Sequence, residues 1–229
     1  MKIDINNIPF DDPDTYDLLA KGLLAGIFQL EKSAGMRAVI RQLKPRTFED
    51  FIPIPALYRP GPIQSGMMDS YIKRKLGLEE IKYPHPVLKP ILEKTYGVCL
   101  YQEQVMQIAQ AMAGYSLGEA DLLRRAMAKK KAEEMQKHRE RFIEGAKKKG
   151  ISPEVAAQVF DSIEPFAGYA FNKAHTTAYA ILSYQMAYLK AHYPEEFMAT
   201  LMTSEANDTA KIVTYINAVS YTHLTLPTN

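Results

Sequence analysis

The sequence predicts an all-α fold, an irregular set of helices joined by Pro- and Gly-rich connecting loops. Three observations carry that expectation. Residues that cap helices precede apolar runs of helical spacing at several points along the chain. Few segments alternate apolar and polar residues with the period of two that a half-buried strand needs. Glycine or proline closes most of the runs.

The elements follow in order. Asp12 before Pro13 reads as an N-cap with proline at the first helical position, opening a helix to about Lys21. Ser33 caps a second, through Leu43 and before Pro45. Thr47 caps a third that Pro53 and Pro55 cut short. The stretch "ALYRPGPIQSG", 56–66, reads as a rigid loop, and "YIKRKLG", 71–77, as a short helix closed by Gly77. From Glu103, helical spacing places Val105, Met106, Ala109 and Met112 on one face. Ser116 with Glu119 matches a capping box and starts the helix carrying "ADLLRRAMAKKK", with Leu123 and Met127 turned to the core. The next run puts Met135, Phe142, Ile143 and Ala146 inward and ends at Gly150. Ser152 and Pro153 open a helix that Pro165 is expected to stop. A long helix after Lys173 carries Ala178, Ile181, Leu182, Gln185, Tyr188 and Leu189 near heptad spacing and ends before Pro194. The final "VSYTHLTLPTN", 219–229, is β-prone, short on charge and abrupt, and reads as a non-native tail.

Bulk properties exclude several classes. Hydrophobic residues at 47% and charged residues at 24% suit a globular chain with a real core. The single cysteine, Cys99, cannot form an internal disulfide and fits a reducing compartment, most simply as a small buried residue. No 18-residue apolar run predicts a membrane span, and the N-terminus lacks a signal-peptide core. The expected location is therefore the cytoplasm. The formal net charge of +2 hides an asymmetry: residues 121–150 hold eleven basic and five acidic side chains. That segment could meet a polyanion, or it could be a solvated helix face.

The stretch "FAGYAFNKAHTTAYA" places Lys173 and His175 where a loop becomes a helix. A helix N-terminus already carries partial positive charge and unpaired N–H groups, so adding cations there suits an anionic guest such as phosphate. Asn172 could also serve there as a plain cap. Tyr169 and Phe171 add aromatic faces suited to a base beside its phosphates. In "LLRRAMAKKK", Arg125 and Lys129 share a helix face, and Arg124 and Lys131 lie on a neighbouring one. Paired arginines grip phosphate oxygens with two N–H groups each. Arg59, in "LYRPGP", is a third cation, and a lone arginine in a turn is more often structural than functional. There is no phosphate-cradling glycine loop, no zinc spacing and no nucleophile elbow. Asp11, Asp12, Asp14 and Asp17 cluster at a helix start, where acids are expected without a metal. The residues alone define a helical, phosphate-binding module with no complete catalytic set.

Taken together, "FQLE", "FED", "ALYRPGPIQSGMMD", "YGVCLYQEQVMQIAQAMAGYSLGEADLLRRAMAKKK" and "FAGYAFNKAHTTAYAILSYQMAYLKAHYPEEFMA" resemble the bacterial replicative C-family DNA polymerases, in the polymerase III α subunit. The resemblance runs from about Ile8 to Ser204 and corresponds to the fingers region. It implies residues 1–10 leaving the palm, a fingers domain over 11–205, and a continuation over 206–229 into the tail. It implies that Arg124, Arg125, Lys173 and His175 contact the triphosphate of an incoming dNTP. Tyr169 matches an aromatic residue near the base or sugar, Asn172 lies in the same loop, and Arg59 is a weaker match. Lys129, Lys130 and Lys131 are expected on primer–template DNA. The family's metal-binding aspartates belong to the palm, so the resemblance implies Mg2+ held outside this chain, no catalytic residue in it, and no activity from it alone. A sliding clamp, a clamp loader and a proofreading exonuclease are partners implied for the parent enzyme. Ala128, Ala170 and Ala174 stand where family members more often have Gly, Gly and Ser. From charge alone, a non-enzymatic helical nucleic-acid-binding module remains the alternative.

Overall fold

A computed structural model describes residues 3–31, 33–129 and 132–221, with the backbone alone at Lys129, Ala132, Phe166, Ala167 and Tyr221. Its helices, in chain order, are α1 (Pro13–Ala20), α2 (Ala34–Leu43), α3 (Phe48–Phe51), α4 (Ile54–Leu57), α5 (Pro60–Gln64), α6 (Met67–Lys75), α7 (Lys89–Leu92), α8 (Gln102–Ala113), α9 (Leu117–Lys129), α10 (Ala132–Lys148), α11 (Pro153–Ala167), α12 (Lys173–His192), α13 (Pro194–Ser204) and α14 (Thr209–Tyr221). Among the described residues there is no strand, only an isolated parallel bridge between Tyr101 and Phe171. The fold is all-α, as the sequence predicts. No described helix is long and apolar enough to cross a membrane.

The local caps form as the sequence expects. The Asp12 side chain accepts from the Thr15 amide at 2.8 Å, Thr47 from Asp50 at 3.2 Å, and Ser152 from Val155 at 3.3 Å. Each satisfies an amide that the helix cannot, a contribution of about 1 kcal/mol.

Four expectations are corrected. The segment 56–66 is mostly helical: Pro60 sits at the first position of α5, where its fixed φ is already suitable and its missing N–H costs nothing. The helix expected over 71–77 starts earlier, at Met67. Pro165 lies inside α11, which continues to Ala167, because a proline in the last turn forfeits a single bond. Finally, α14 runs through Tyr221, so the helical pattern does not break at Val219; residues 222–229 lie outside the described ones.

The chain divides into two units. The contiguous unit comprises 56–176; the split unit comprises 1–55 with 177–229, and the division falls within the first turn of α12. In the contiguous unit, α8, α9, α10 and α11 pack on one another around Val105, Ile108, Met112, Leu123, Phe142 and Phe160. Gly145 on α10 allows the closest approach. A Cβ there would lie 2.1 Å from the Ala113 carbonyl oxygen. Cys99 joins this core, 5% exposed, and burial pushes its thiol up to about 12.

The split unit is organised on Tyr184, fully buried in α12 among Phe10, Tyr16, Phe48 and Phe51, with ring centroids 5.3 to 6.4 Å away. Its hydroxyl donates to the Pro9 carbonyl at 3.0 Å and accepts from the Asp12 amide at 3.2 Å. Lys190 is also buried, its Nζ donating to the carbonyls of Leu23 at 2.9 Å and Ala25 at 2.7 Å. Within the split unit the buried stripe of α12 is thus Ala180, Ser183, Tyr184, Ala187 and Lys190. The more apolar stripe with heptad spacing is left partly open, with Leu182 50% exposed.

Candidate nucleotide-binding site

The candidate cations all lie in the contiguous unit, on three elements. The first is α9. Its start is a complete capping box: the Ser116 amide and hydroxyl donate to Glu119 at 2.8 and 2.9 Å, and the Glu119 amide donates back to Ser116 Oγ at 3.3 Å. Arg141 on α10 pairs with the other Glu119 oxygen. The Ser116 amide above all, with Arg141, holds the Glu119 carboxyl at about 2.

One turn on, Asp121 takes both arginines. Arg124 donates to its Oδ1 from Nε and Nη2 at 2.9 and 2.7 Å, and Arg125 to its Oδ2 from Nε at 2.7 Å. The Arg124 hydrogen bonds are the main reason the Asp121 carboxyl lies below the ordinary range. Arg124 is the more covered of the two, 22% exposed against 63% for Arg125. Leu123 and Met127 face inward, as expected. The side chain of Lys129, and Lys130 and Lys131 altogether, lie outside the described residues.

The second element is the loop 168–172 with the first turn of α12. The loop is stitched to the chain before α8: the Phe171 amide donates to Leu100 O at 3.0 Å and the Gln102 amide to Phe171 O at 2.9 Å. Asn172 Oδ1 accepts from the His175 amide at 2.7 Å, so Asn172 does serve as a cap. The Lys173 amide donates to both oxygens of Glu103, each at 3.0 Å. Asn172, Lys173 and His175 are exposed. The Lys173 ammonium lies 5.6 Å from the centre of the Tyr101 ring, and His175 meets the Phe171 ring edge-on at 5.5 Å.

Arg59, the third, reaches beneath that loop. Its guanidinium donates to Tyr169 O at 2.6 Å and Ala56 O at 2.9 Å, and it stacks 4.4 Å over Phe171. Burial draws its pKa down from the ordinary arginine value. Tyr169 lies against Gly61, where a Cβ would come within 2.2 Å of the ring. Arg59 therefore shapes the loop that carries Tyr169.

Both exposed clusters are tied to one place. Arg124 Nη1 donates to Gln102 Oε1 at 3.3 Å, and Glu103, the next residue of α8, holds Lys173. Gln104 anchors the same turn from within. Its Oε1 accepts from the Leu100 and Tyr101 amides at 2.9 Å each, and its Nε2 donates to Ile91 O at 3.1 Å and Thr95 Oγ1 at 2.7 Å. Sequence reasoning missed these three residues. Their signal was three consecutive hydrogen-bonding side chains, "QEQ", where a helix begins. A cavity of about 500 Å³ elsewhere in this unit, lined in part by Arg74, Lys82 and Cys99, contains none of the candidate cations.

Among the described residues, Asp12, Asp14 and His192 of the split unit bring ligand-type atoms within 4.8 Å of one another. They do not fit the bare carboxylate pair of a two-metal site. Asp12 Oδ2 already accepts from the Thr15 amide and hydroxyl at 2.8 and 2.5 Å and pairs with His192 Nε2 at 2.9 Å. Burial would raise the Asp12 carboxyl, yet Thr15 and His192 together hold it below its ordinary value.

The contiguous unit is thus an all-helical module in which Arg124 of α9 and the first amide of α12 are both bonded to the start of α8. Comparison with known proteins makes this specific. The family model described as "Bacterial DNA polymerase III alpha subunit finger domain" matches residues 1–150, and the chain belongs to that family. It is 58% identical over 217 residues to the DNA polymerase III subunit alpha of Haemophilus influenzae, covering 93% of this chain and 19% of that protein. It is 56% identical over 216 residues to the Escherichia coli K12 subunit, covering 92% and 18%, and 55% identical over 221 residues to that of Thermus aquaticus, covering 94% and 18%. The chain thus spans under a fifth of the length of these relatives.

Proposed function

We propose that this chain supplies the fingers surface of a replicative DNA-directed DNA polymerase, where the incoming dNTP and the primer–template meet. Arg124, Arg125, Lys173 and His175 contact the triphosphate, neutralising charge on the leaving pyrophosphate. Tyr169 lies beside the base or sugar, Asn172 caps the helix that presents the cations, and Arg59 holds the Tyr169 loop from below. Lys129, Lys130 and Lys131 face DNA. The Mg2+ of the transfer belongs to residues outside this chain, so the chain alone extends no primer. Clamp, clamp loader and proofreading exonuclease bind the parent enzyme.

The observation that carries this reading is the convergence on α8: the half-buried Arg124 guanidinium of α9 and the backbone amide of the exposed Lys173 of α12 are bonded to adjacent residues of a single helix end. A helical module that binds DNA only through the charge excess of 121–150 is less well supported, because part of that excess is engaged within the unit. Arg139 is bidentate to Asp161, Arg141 pairs with Glu119, and Lys149 donates to the Gln110 and Ala111 carbonyls.

The test is steady-state kinetics of the full-length polymerase. Arg125→Ala or Lys173→Ala raises the KM for dNTP or lowers kcat, on the order of ten- to a hundredfold for one charge-assisted contact. Unchanged kinetics in both variants would refute the assignment.

A further inference from the structure

We infer that the first turn of α8 is a positioning device: Glu103 and Gln102 fix the bearing of Lys173 and Arg124 toward the triphosphate, an inference that rests on the reading of that site given above. Glu103 stands 70 residues from Lys173 in the chain, yet both its oxygens take the first amide of α12. A negative charge at a helix N-terminus is favourable in itself. Beside a triphosphate it is repulsive, and it occupies an amide that a phosphate would otherwise use. Glu103 therefore does not add to phosphate binding directly. What it provides is a fixed start for α12, with Lys173 on the solvent side and its ammonium beside the Tyr101 ring.

Gln102 does for α9 what Glu103 does for α12. Arg124 has a charged partner on its own helix, Asp121, and a neutral one across the unit, Gln102. An amide oxygen directs a guanidinium without adding to the charge that Asp121 already offsets; Gln102 orients Nη1 while Asp121 holds Nε and Nη2. The turn can serve as a reference for both because it is itself fixed. The buried Gln104 amide has partners on both its nitrogen and its oxygen, and the Gln102 amide joins the bridge to Phe171.

The experiment is dNTP kinetics of the full-length polymerase with Glu103→Ala, Glu103→Gln, Gln102→Ala, and each alanine variant combined with removal of its partner. Glu103→Ala is expected to raise KM for dNTP about tenfold, and Glu103→Gln, which keeps an acceptor, to recover it to within about threefold. In a Lys173→Ala background, Glu103→Ala adds about threefold rather than tenfold, because of the cations on that turn only His175 is left to position. Gln102→Ala raises KM about threefold, and that rise vanishes in an Arg124→Ala background. This second pair carries the test should Glu103→Ala fail to fold. A fall in KM in Glu103→Ala would mean that Glu103 competes with phosphate and overturns the inference, as would fully additive double variants. If Lys173→Ala and Arg124→Ala themselves leave kinetics unchanged, the reading of the site fails. If they impair the enzyme while Glu103→Ala and Gln102→Ala do not, the positioning role alone fails.

Discussion

In the contiguous unit, α8 to α11 follow one another along the chain and bury an apolar cluster between them, with Gln104 and Thr95 as a neutral, internally paired exception. In the split unit, α12 meets segments more than 150 residues away, and the joins are polar: Tyr184 to Pro9, Ser183 to Phe28, Lys190 to Leu23 and Ala25. Neighbours in sequence can be registered by the spacing of their apolar faces. Distant segments here are registered by side chains that each satisfy a particular carbonyl, since a buried donor or acceptor without its partner costs more than a shifted apolar contact.

The comparison breaks most readily at Gly145. Gly145→Ala drives a methyl into the Ala113 carbonyl, a backbone atom that cannot swing aside. The expected loss is about 3 kcal/mol or more, and amide exchange in the full-length polymerase should quicken over α8 and α10. Unchanged exchange there would show that the apolar unit is looser than its packing implies.

The legibility of the sequence divides along the same line. The Asp12, Thr47, Ser116 and Ser152 caps were readable because each involves residues three apart. The buried stripe of α12 was not, because Ser183 and Lys190 are polar and become interior residues only through carbonyls supplied from elsewhere in the split unit. At the site, Lys173, His175 and the arginine pair stood out as cations in unusual places, and Asn172 as a possible cap. Glu103 marked only the point where helical spacing begins, and its use by a helix 70 residues away has no local signature. Arg59 was visible as a residue, but its grip on Tyr169 was not.

A second, smaller effect sharpens the polar side of the comparison. Lys190→Met keeps the volume but leaves the Leu23 and Ala25 carbonyls without their donor, at an expected cost of about 2 kcal/mol. Burial lowers the Lys190 pKa to about 8 from its ordinary 10.5. The unfolded chain therefore holds this proton to higher pH than the folded one. Stability from this group rises between about pH 8 and 10.5. Tyr16 and Tyr184, raised by burial, oppose that rise above pH 10. Amide exchange over α12 should slow from pH 8 to 10, after correction for intrinsic rates, and Lys190→Met should abolish the slowing. A persistent slowing would assign it to another group.

The smallest effect concerns the Glu119 capping box. With its carboxyl lowered from 4.5 to about 2, Glu119 contributes stability above pH 4.5 that is lost as the pH falls toward 2. The start of α9 should fray over that interval, less so in high salt where the Arg141 partner is already screened. Glu119→Gln should remove the acid dependence while leaving α8 unaffected, and a response spread through the whole contiguous unit would argue against a local cap.

The buried thiol of Cys99 has a practical consequence. With its proton held to about 12, on the order of one molecule in a hundred thousand carries the reactive thiolate at neutral pH. Alkylating reagents should pass this chain by. A cysteine introduced at an exposed position in it, away from the cations, would then be the chain's sole reactive thiol, and a fluorophore could be attached there without first stripping the native residue from the core.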